Sequence, residues 1–286
     1  NYHTIFKYIK YLYYLSIILL IIVLIFGKEA HGAKAWLQIF NISIQPSEIT
    51  KLSLLIYLSY LTLKNKSFIH LLILTIIPSI LTFLEPDTGA IIFYLIILLT
   101  TLKHLKISSK KIITIISIIT IIILLHITIY ITNKNLLINI YGPKIFYRID
   151  RLISFKEQNN IQNINSLISI GSHNLLYIPE NHNDLIFASI ISKYHTKAFI
   201  TIIISFFLII YYYIYHLDKR KNISNIYNNI VLNMLTFQIF YNILMNLSLI
   251  PIMGIPLPFL SYGGSYLITL YFIIGLSINL ISNNKV

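Results

Sequence analysis

Long apolar runs, separated by short polar segments or by Pro/Gly breaks, dominate the pattern along the chain. Many of them approach the ~20 residues that an α-helix needs to cross a bilayer. This pattern predicts an all-α fold, a polytopic transmembrane helix bundle in one integral membrane domain (1–286) with a large outer-side loop at about 132–184. The eight predicted spans are Tyr8–Phe26, Ser47–Leu63, Ile69–Phe83, Thr88–Leu102, Ile112–Ile131, Leu185–Tyr215, Ile230–Leu249 and Tyr266–Ile281.

Two of the runs show more than plain hydrophobicity. The third and fourth spans are short and meet at the sequence LEPDTG (84–89), which predicts a tight hairpin. The sixth run is too long for one straight crossing, and the polar sequence SKYHTK (192–197) interrupts it. It therefore predicts a broken or tilted helix.

Composition supports a membrane protein, since 57% of the 286 residues are hydrophobic and only 11% are charged. A soluble domain of this composition would have too few polar residues to cover its surface. The formal charge of +13 is spread between the spans, so we expect anionic lipid headgroups and no nucleic acid as its counterpart. Cysteine is absent, which excludes disulfides and thiolate metal sites.

The distribution of charge predicts which helix ends face the cytoplasm. Cytoplasmic connections carry an excess of Lys and Arg. One set of ends holds twelve of the 22 basic residues and a single acid, Asp218, whereas the other eight of the nine acids lie on the opposite, outer side. The twelve basic residues are Lys7, Lys10, Lys64, Lys66, Lys103, Lys106, Lys110, Lys111, Lys219, Arg220, Lys221 and Lys285.

Glu48 and Lys51 stand in the segment QPSEITK at the start of the second predicted span. A spacing of three places them on the same helix face. One interpretation is an ion pair at the helix start, where the helix dipole favours Glu. The other is a buried pair that lines a polar cavity at the outer end of the bundle. The spacing leaves both open.

Five other residues have a structural and a functional interpretation. Trp36, the only Trp, is typical of an interfacial anchor. Asp87 can cap the helix that follows it, and Asp184 can do the same before the sequence LIFASII or act as general base on a sugar hydroxyl. Arg148 and Arg151 suit either phosphate oxygens or lipid headgroups.

Four segments between residues 32 and 265 resemble the motifs of one family, in the right order. GAKAWLQIFNISIQPSEITK resembles G-A-x-R-W-L followed by Q-P-S-E-x-x-K, and EPDTG resembles Q-P-D-x-G. PENHNDLIFA resembles P-E-x-H-T-D-F-I-F-A, and GIPLPFLSYGGS resembles G-x-P-L-P-x-x-S-Y-G-G-S. The family is SEDS (shape, elongation, division and sporulation proteins), and the form MGIPLPFLSYGG is closer to its rod-shape branch than to its division branch.

The resemblance implies a peptidoglycan glycosyltransferase that polymerises lipid II at the outer face of the bacterial cytoplasmic (inner) membrane, for cell-wall elongation and rod shape. It implies a class B penicillin-binding protein and other elongation-complex membrane proteins as partners. Asp184 matches the essential loop aspartate of the family and becomes the expected catalytic base. Arg151 is our choice for a phosphate contact. The residues that match the important cavity positions are Trp36, Glu48, Lys51 and Asp87.

The chain departs from the family pattern in several places. Family members have ten spans, so we expect the first two helices to be missing here. The Gly-rich stretch before PENHND is absent, SKYHTK replaces E-E-L-G-L, and Asn183 replaces a threonine. A precursor flippase, a division-type polymerase and a degenerate non-catalytic scaffold are the alternatives. No cofactor is expected, and the sequence leaves a divalent-cation requirement open.

Overall fold

A computed structural model describes residues 2–30, 33–39, 42–105, 107–133, 161–172, 182–218 and 220–283. Within these ranges the chain forms nine helices and three short strands. In chain order they are α1 (Tyr2–Phe26), β1 (Lys28–Ala30), β2 (Ala33–Ile39), β3 (Ile42–Ile44), α2 (Pro46–Leu63), α3 (Phe68–Leu84), α4 (Thr88–His104), α5 (Ser109–Thr132), α6 (Ile161–Ser172), α7 (Ile186–His216), α8 (Ile223–Asn246) and α9 (Gly264–Asn283).

The helical bundle predicted from the sequence is confirmed. Each of the eight predicted spans lies on one observed helix, namely α1 to α5 and α7 to α9. Among the described residues, three helices are long and apolar enough to cross a membrane by themselves: Thr4–Phe26, Ile186–His216 and Gly264–Asn283. The chain is therefore a multi-pass membrane protein.

Helix α2 occupies the centre of the bundle. Fifteen of its 18 residues are buried, and it packs against α1, α3, α4, α8 and α9. Small polar side chains allow this close packing, because they leave room for a neighbouring backbone. Ser53 of α2 is hydrogen-bonded to Ser16 of α1, with 3.0 Å between the two hydroxyl oxygens. By contrast, only seven of the 31 residues of α7 are buried.

A small antiparallel sheet connects α1 to α2, and the sequence analysis assigned no element there. β2 is the middle strand, with Trp36 opposite Lys28 of β1. β1 and β3 have three residues each, which is too short for an alternating pattern to identify a strand. The strands pair the backbone groups of the connection with one another and fix how the chain enters α2.

The predicted hairpin and the predicted helix break are both confirmed. α3 and α4 pack together and are joined by the three-residue turn 85–87. Asp87 is the N-cap of α4, and its Oδ1 accepts a hydrogen bond from the Ala90 amide at 3.3 Å. α7 contains a kink at His195, where φ is 59° and ψ is −153°. His195 lies inside the SKYHTK segment.

The predicted outer-side loop contains helix α6, while residues 134–160 and 173–181 lie outside the described residues. α6 turns its polar face towards the protein and packs against α7 and α8. Ser166 donates a hydrogen bond to the Asn246 carbonyl at 2.7 Å, and Ser248 donates one to the Asn163 carbonyl at 2.6 Å. These bonds fix α6 against the outer end of α8.

Hydrogen bonds between the connections identify the two ends of the bundle. Lys221 donates to the side chain of Asn65, which joins two of the connections predicted to be cytoplasmic. At the opposite end, the Gln45 amide donates to Ser265 Oγ at 3.1 Å, and the Tyr262 amide donates to the His182 carbonyl at 2.9 Å. This opposite end, which the charge distribution predicts to face outside and which we call the outer end, gathers the start of α2, the segment before α7 and the segment before α9.

Candidate functional site

Glu48 and Lys51 form a buried ion pair in the first two turns of α2. Lys51 Nζ lies 2.6 Å from Glu48 Oε2 and 2.7 Å from Oε1, and the two residues are 3% and 8% exposed. Thr269 of α9 donates a second hydrogen bond to Glu48 Oε2 at 3.0 Å. The ammonium group also lies over the rings of Phe93 and Tyr266, at 4.7 and 5.6 Å from their centroids. Both charges are thus compensated inside the bundle.

The ion pair lines a small cavity between α2, α8 and α9, with room inside for about one water molecule. Its polar groups lie together, and the rest of the wall is apolar. The lining residues are Glu48, Lys51, Val231, Met234, Leu235, Gln238, Tyr266, Thr269, Leu270 and Ile273. Of the two interpretations of the Glu48–Lys51 spacing, the structure shows the buried pair beside a cavity.

Asp87 holds the start of α2 in place. Its Oδ2 accepts hydrogen bonds from Gln45 Nε2 at 2.8 Å and from Ser47 Oγ at 2.9 Å, while its Oδ1 caps α4. Asp87 does not itself line the cavity. It can affect the cavity indirectly, because it fixes the turn of α2 that carries Glu48.

Glu85 lies two residues before Asp87, in the turn between α3 and α4. It is 0% exposed, and neither carboxyl oxygen has a hydrogen-bond partner among the described residues. Burial, and then the neighbouring Asp87 carboxylate, raises the pKa of Glu85 to about 9. The folded protein therefore keeps this carboxyl group protonated at neutral pH.

Asp184 lies at the outer end of the bundle, in the turn that leads into α7, and it is half-buried. Its carbonyl oxygen accepts hydrogen bonds from Asn242 Nδ2 at 3.0 Å and from Asn246 Nδ2 at 3.1 Å. The alternative role as helix N-cap is wrong by one residue. The N-cap of α7 is Leu185, because the helix begins at Ile186, and no side chain caps it.

The segment 254–263 packs beside Asp184. Gly254 has φ of +68°, and a Cβ atom on it would lie 3.6 Å from Asp184 Oδ2. Ser261 donates a hydrogen bond to the Asn183 carbonyl at 2.7 Å. The carboxylate is therefore next to the backbone of the GIPLPFLSYGGS motif, so the structure brings two of the four sequence motifs into contact.

The remaining predicted site residues are less well connected to this region. Trp36 is half-buried on β2, the strand that precedes β3 and α2. Arg151 and Arg148 lie outside the described residues. The structure thus brings Glu48, Lys51 and Asp87 together at the start of α2, with Asp184 at the same end of the bundle.

Comparison with known proteins identifies the chain. The family model FTSW_RODA_SPOVE, described as "Cell cycle protein", matches residues 1–286. The chain belongs to this family. It is the SEDS family that the motifs indicated, so that prediction is confirmed.

Relatives of known name agree with the assignment. A "Probable peptidoglycan glycosyltransferase FtsW" from Buchnera aphidicola subsp. Baizongia pistaciae is 34% identical, over 91% of this chain and 72% of that protein. The protein of the same name from Bacillus subtilis is 27% identical, over 96% of this chain and 73% of that protein.

Two solved structures show the same fold. One is described as "Structural coordination of polymerization and crosslinking by a peptidoglycan synthase complex". It has a TM-score of 0.77 at 23% identity, over 99% of this chain and 82% of that chain. The rod shape determining protein RodA of Thermus thermophilus has a TM-score of 0.67 at 20% identity, over 99% and 80%.

Sequence reasoning missed three amide side chains at this SEDS site. Gln238, Asn242 and Asn246 on α8 are buried, and they connect the cavity to Asp184. Their spacing of four residues on an apolar helix was a readable signal. Polar side chains in a membrane helix face the bundle interior and mark functional regions.

The ion pair generates the first prediction. Lys51→Met leaves the Glu48 carboxylate buried without its counter-charge, so we expect it to lower stability by about 3–5 kcal/mol. The double variant Glu48→Gln/Lys51→Met removes both charges and should recover most of that loss. Thermal unfolding in detergent measures both variants. Equal losses in the single and double variants would contradict the buried, mutually compensating pair.

Glu85 generates a pH-dependent prediction. The unfolded chain releases this proton near pH 4.5, whereas the folded protein holds it until about pH 9. Glu85 therefore lowers the free energy of unfolding progressively as the pH rises through this window. Glu85→Gln should remove the effect, with a stability gain that grows between pH 5 and pH 8. A gain of the same size at both pH values would contradict it.

Proposed function

We propose that this SEDS protein is a glycosyltransferase that polymerises lipid II at the outer face of the bacterial cytoplasmic (inner) membrane. The observation that carries the proposal is the position of Asp184. It lies at the outer end of the bundle, and α8 joins it to the cavity that contains the buried Glu48–Lys51 pair. Relatives named peptidoglycan glycosyltransferases support the reaction class.

Asp184 acts as the general base in this proposal. Its carboxylate accepts the proton of the acceptor sugar hydroxyl, and the hydroxyl oxygen then forms a bond to the anomeric carbon of the donor sugar. The bond between that carbon and undecaprenyl pyrophosphate breaks, and the pyrophosphate oxygen leaves with the electron pair. The half-buried position of Asp184 gives a sugar access to the side chain while the surrounding hydrogen bonds hold its backbone.

We place the part of lipid II where the charged headgroup meets the polyprenyl tail at the mouth of this small cavity. The polar side chains Glu48, Lys51 and Thr269 lie beside apolar wall residues such as Met234 and Leu270. Gln238 lines this cavity, and Asn242, which binds the Asp184 backbone, follows it by one helical turn, or about 6 Å along the axis. That separation is short enough for one headgroup to contact both places.

The other predicted site residues have more peripheral parts. We propose that Asp87 acts indirectly, by fixing the first turn of α2 through Gln45 and Ser47. Arg151 remains our choice for a pyrophosphate contact from the outer-side loop. Trp36 is proposed to border the entrance to the cavity from the sheet that precedes α2.

The position of the charged pair, near one end of α2, favours polymerisation over transport. A carrier that moves a headgroup across the bilayer needs polar groups at the middle of its helices. Glu48 and Lys51 instead lie in the first two turns of α2, at its outer end. This position suits a reaction on the outer surface, and it supports the polymerase rather than the flippase.

We infer that the partner is a class B penicillin-binding protein and that the two proteins work together in cell elongation. The structural neighbour at TM-score 0.77 is described as part of a peptidoglycan synthase complex. The form MGIPLPFLSYGG supports the rod-shape role, whereas the relatives reported above carry the division name FtsW. Division is therefore the second candidate role.

Asp184→Asn tests the proposed reaction. It removes the proton acceptor with almost no change in shape, so we expect glycan synthesis from lipid II to fall at least about 100-fold. Synthesis is measured by gel separation of labelled glycan strands, with membranes that contain the full-length protein.

Asp218→Asn provides the matched control. Asp218 is an exposed aspartate between α7 and α8, at the cytoplasmic end, and its loss should leave synthesis unchanged. Polymer formation by the Asp184→Asn protein at the rate of the control would refute the general-base role.

Depletion of the protein in its host tests the biological role. Loss of an elongation polymerase should yield round cells, because side-wall synthesis stops while division continues. Light microscopy over several generations measures the cell shape. Long filaments without septa would instead show that the division role is the right one.

A further inference from the structure

Three amide side chains form a continuous stripe on α8. Gln238, Asn242 and Asn246 are spaced four residues apart, so they lie on one helix face, and they are 3%, 0% and 0% exposed. We call this stripe the amide ladder. Buried amides cost free energy unless their donors and acceptors are paired, so the partners of the ladder show what it holds in place.

The outermost rung holds the segment that carries Asp184. Asn246 Nδ2 donates to the Asp184 carbonyl at 3.1 Å, and Asn246 Oδ1 accepts from the Ala188 amide at 3.0 Å. The same Nδ2 also donates to the Asn242 carbonyl at 2.9 Å, one turn back along α8. Asn246 therefore fixes Asp184 and the first turn of α7 together.

The middle rung joins Asp184 to the segment that faces its carboxylate. Asn242 Nδ2 donates to the Asp184 carbonyl at 3.0 Å and to the Ile255 carbonyl at 2.8 Å. One NH₂ group thus holds two segments that are distant in sequence. Gly254, which approaches Asp184 Oδ2, is the residue next to Ile255.

The innermost rung reaches the cavity. Gln238 Nε2 donates to the Pro256 carbonyl at 2.8 Å and to the Tyr266 hydroxyl at 2.8 Å. Gln238 and Tyr266 both line the cavity, and the Lys51 ammonium lies over the Tyr266 ring. Gln238 and Asn242 bind the adjacent carbonyls of Pro256 and Ile255, so this stretch of backbone links the cavity wall to the rungs that hold Asp184.

We propose that the amide ladder is a set of positioning residues that fixes the distance and direction of the Asp184 carboxylate relative to the cavity. The inference rests on the proposed role of Asp184 as general base. Its two outer rungs, Asn242 and Asn246, contact the Asp184 backbone, so the ladder acts through Asp184. It should matter for the rate of the chemical step and little for the binding of lipid II.

A purely structural role makes a different prediction. If the three amides served only to pair buried polar groups by hydrogen bonding, their loss would lower stability. Synthesis would then fall only with the amount of folded protein. A positioning role instead lowers kcat of the folded protein while KM is preserved, because a displacement of about 1 Å can lower a rate about 100-fold. The maximal rate per folded protein separates the two, because a structural role leaves it unchanged and a positioning role lowers it.

Asn242→Leu is the principal test, because it removes the NH₂ group and keeps a similar volume. In membranes with the full-length protein, we expect the maximal rate of glycan synthesis per folded protein to fall between about 10-fold and 100-fold. The KM for lipid II should change by less than about twofold. Asn246→Leu is a second variant that breaks the ladder at its outer end and should show the same split.

Asn233→Leu is the matched control on the same helix. Asn233 is a half-buried amide whose Nδ2 donates to Thr100 of α4 and to Asn229, away from Asp184. Asn233→Leu removes a similar set of amide hydrogen bonds, so thermal unfolding should show a similar loss of stability in Asn233→Leu and Asn242→Leu. We expect synthesis by the control to remain within about twofold of the unmodified protein.

The outcomes separate this inference from the proposed function. An inactive Asp184→Asn protein together with an unchanged kcat in Asn242→Leu would overturn the positioning role of the ladder. The general-base role of Asp184 would still stand. A raised KM with unchanged kcat would overturn the positioning role too. An Asp184→Asn protein with full activity would overturn the proposed function itself. A fall in kcat in both ladder variants, with the control unaffected, is the result that the inference requires.

Discussion

The buried ion pair between Glu48 and Lys51 is the interaction on which the outer end of the bundle depends. Lipid offers no partner to a charged or polar group, so each one must be compensated inside the protein. Thr269 of α9 donates to the pair, and the Tyr266 ring lies beside its ammonium group. The pair therefore draws α2 and α9 together and lines a small cavity between them and α8.

The same constraint extends from the cavity to the outer surface. Gln238 is buried beside the cavity, so its amide needs a partner and binds the Pro256 carbonyl. Asn242 and Asn246, the following two rungs of α8, meet the same need by binding the Asp184 carbonyl. These hydrogen bonds thus relate the buried cavity to Asp184, the residue with the proposed chemistry. The charged pair is buried and fixed, while the half-buried aspartate is the part that a sugar can reach.

The spans were predictable from the apolar runs and the polar or Pro/Gly breaks between them, and all eight predicted runs lie on helices. The hairpin at Asp87 and the break near His195 followed from local turn and polarity signals. The three-stranded sheet was not predictable from strands of three residues. Long-range pairing was also hidden, because nothing near Asp184 in the sequence indicates that Asn242, 58 residues away, holds its carbonyl.

An experimental structure of the Asp184→Asn protein with lipid II bound is the most direct measurement. We expect a sugar hydroxyl within about 2.6–3.2 Å of the side chain at position 184. The pyrophosphate and the first polyprenyl units should lie at the cavity of Glu48 and Lys51. Lipid II bound on another face, with that cavity closed to it, would contradict the account.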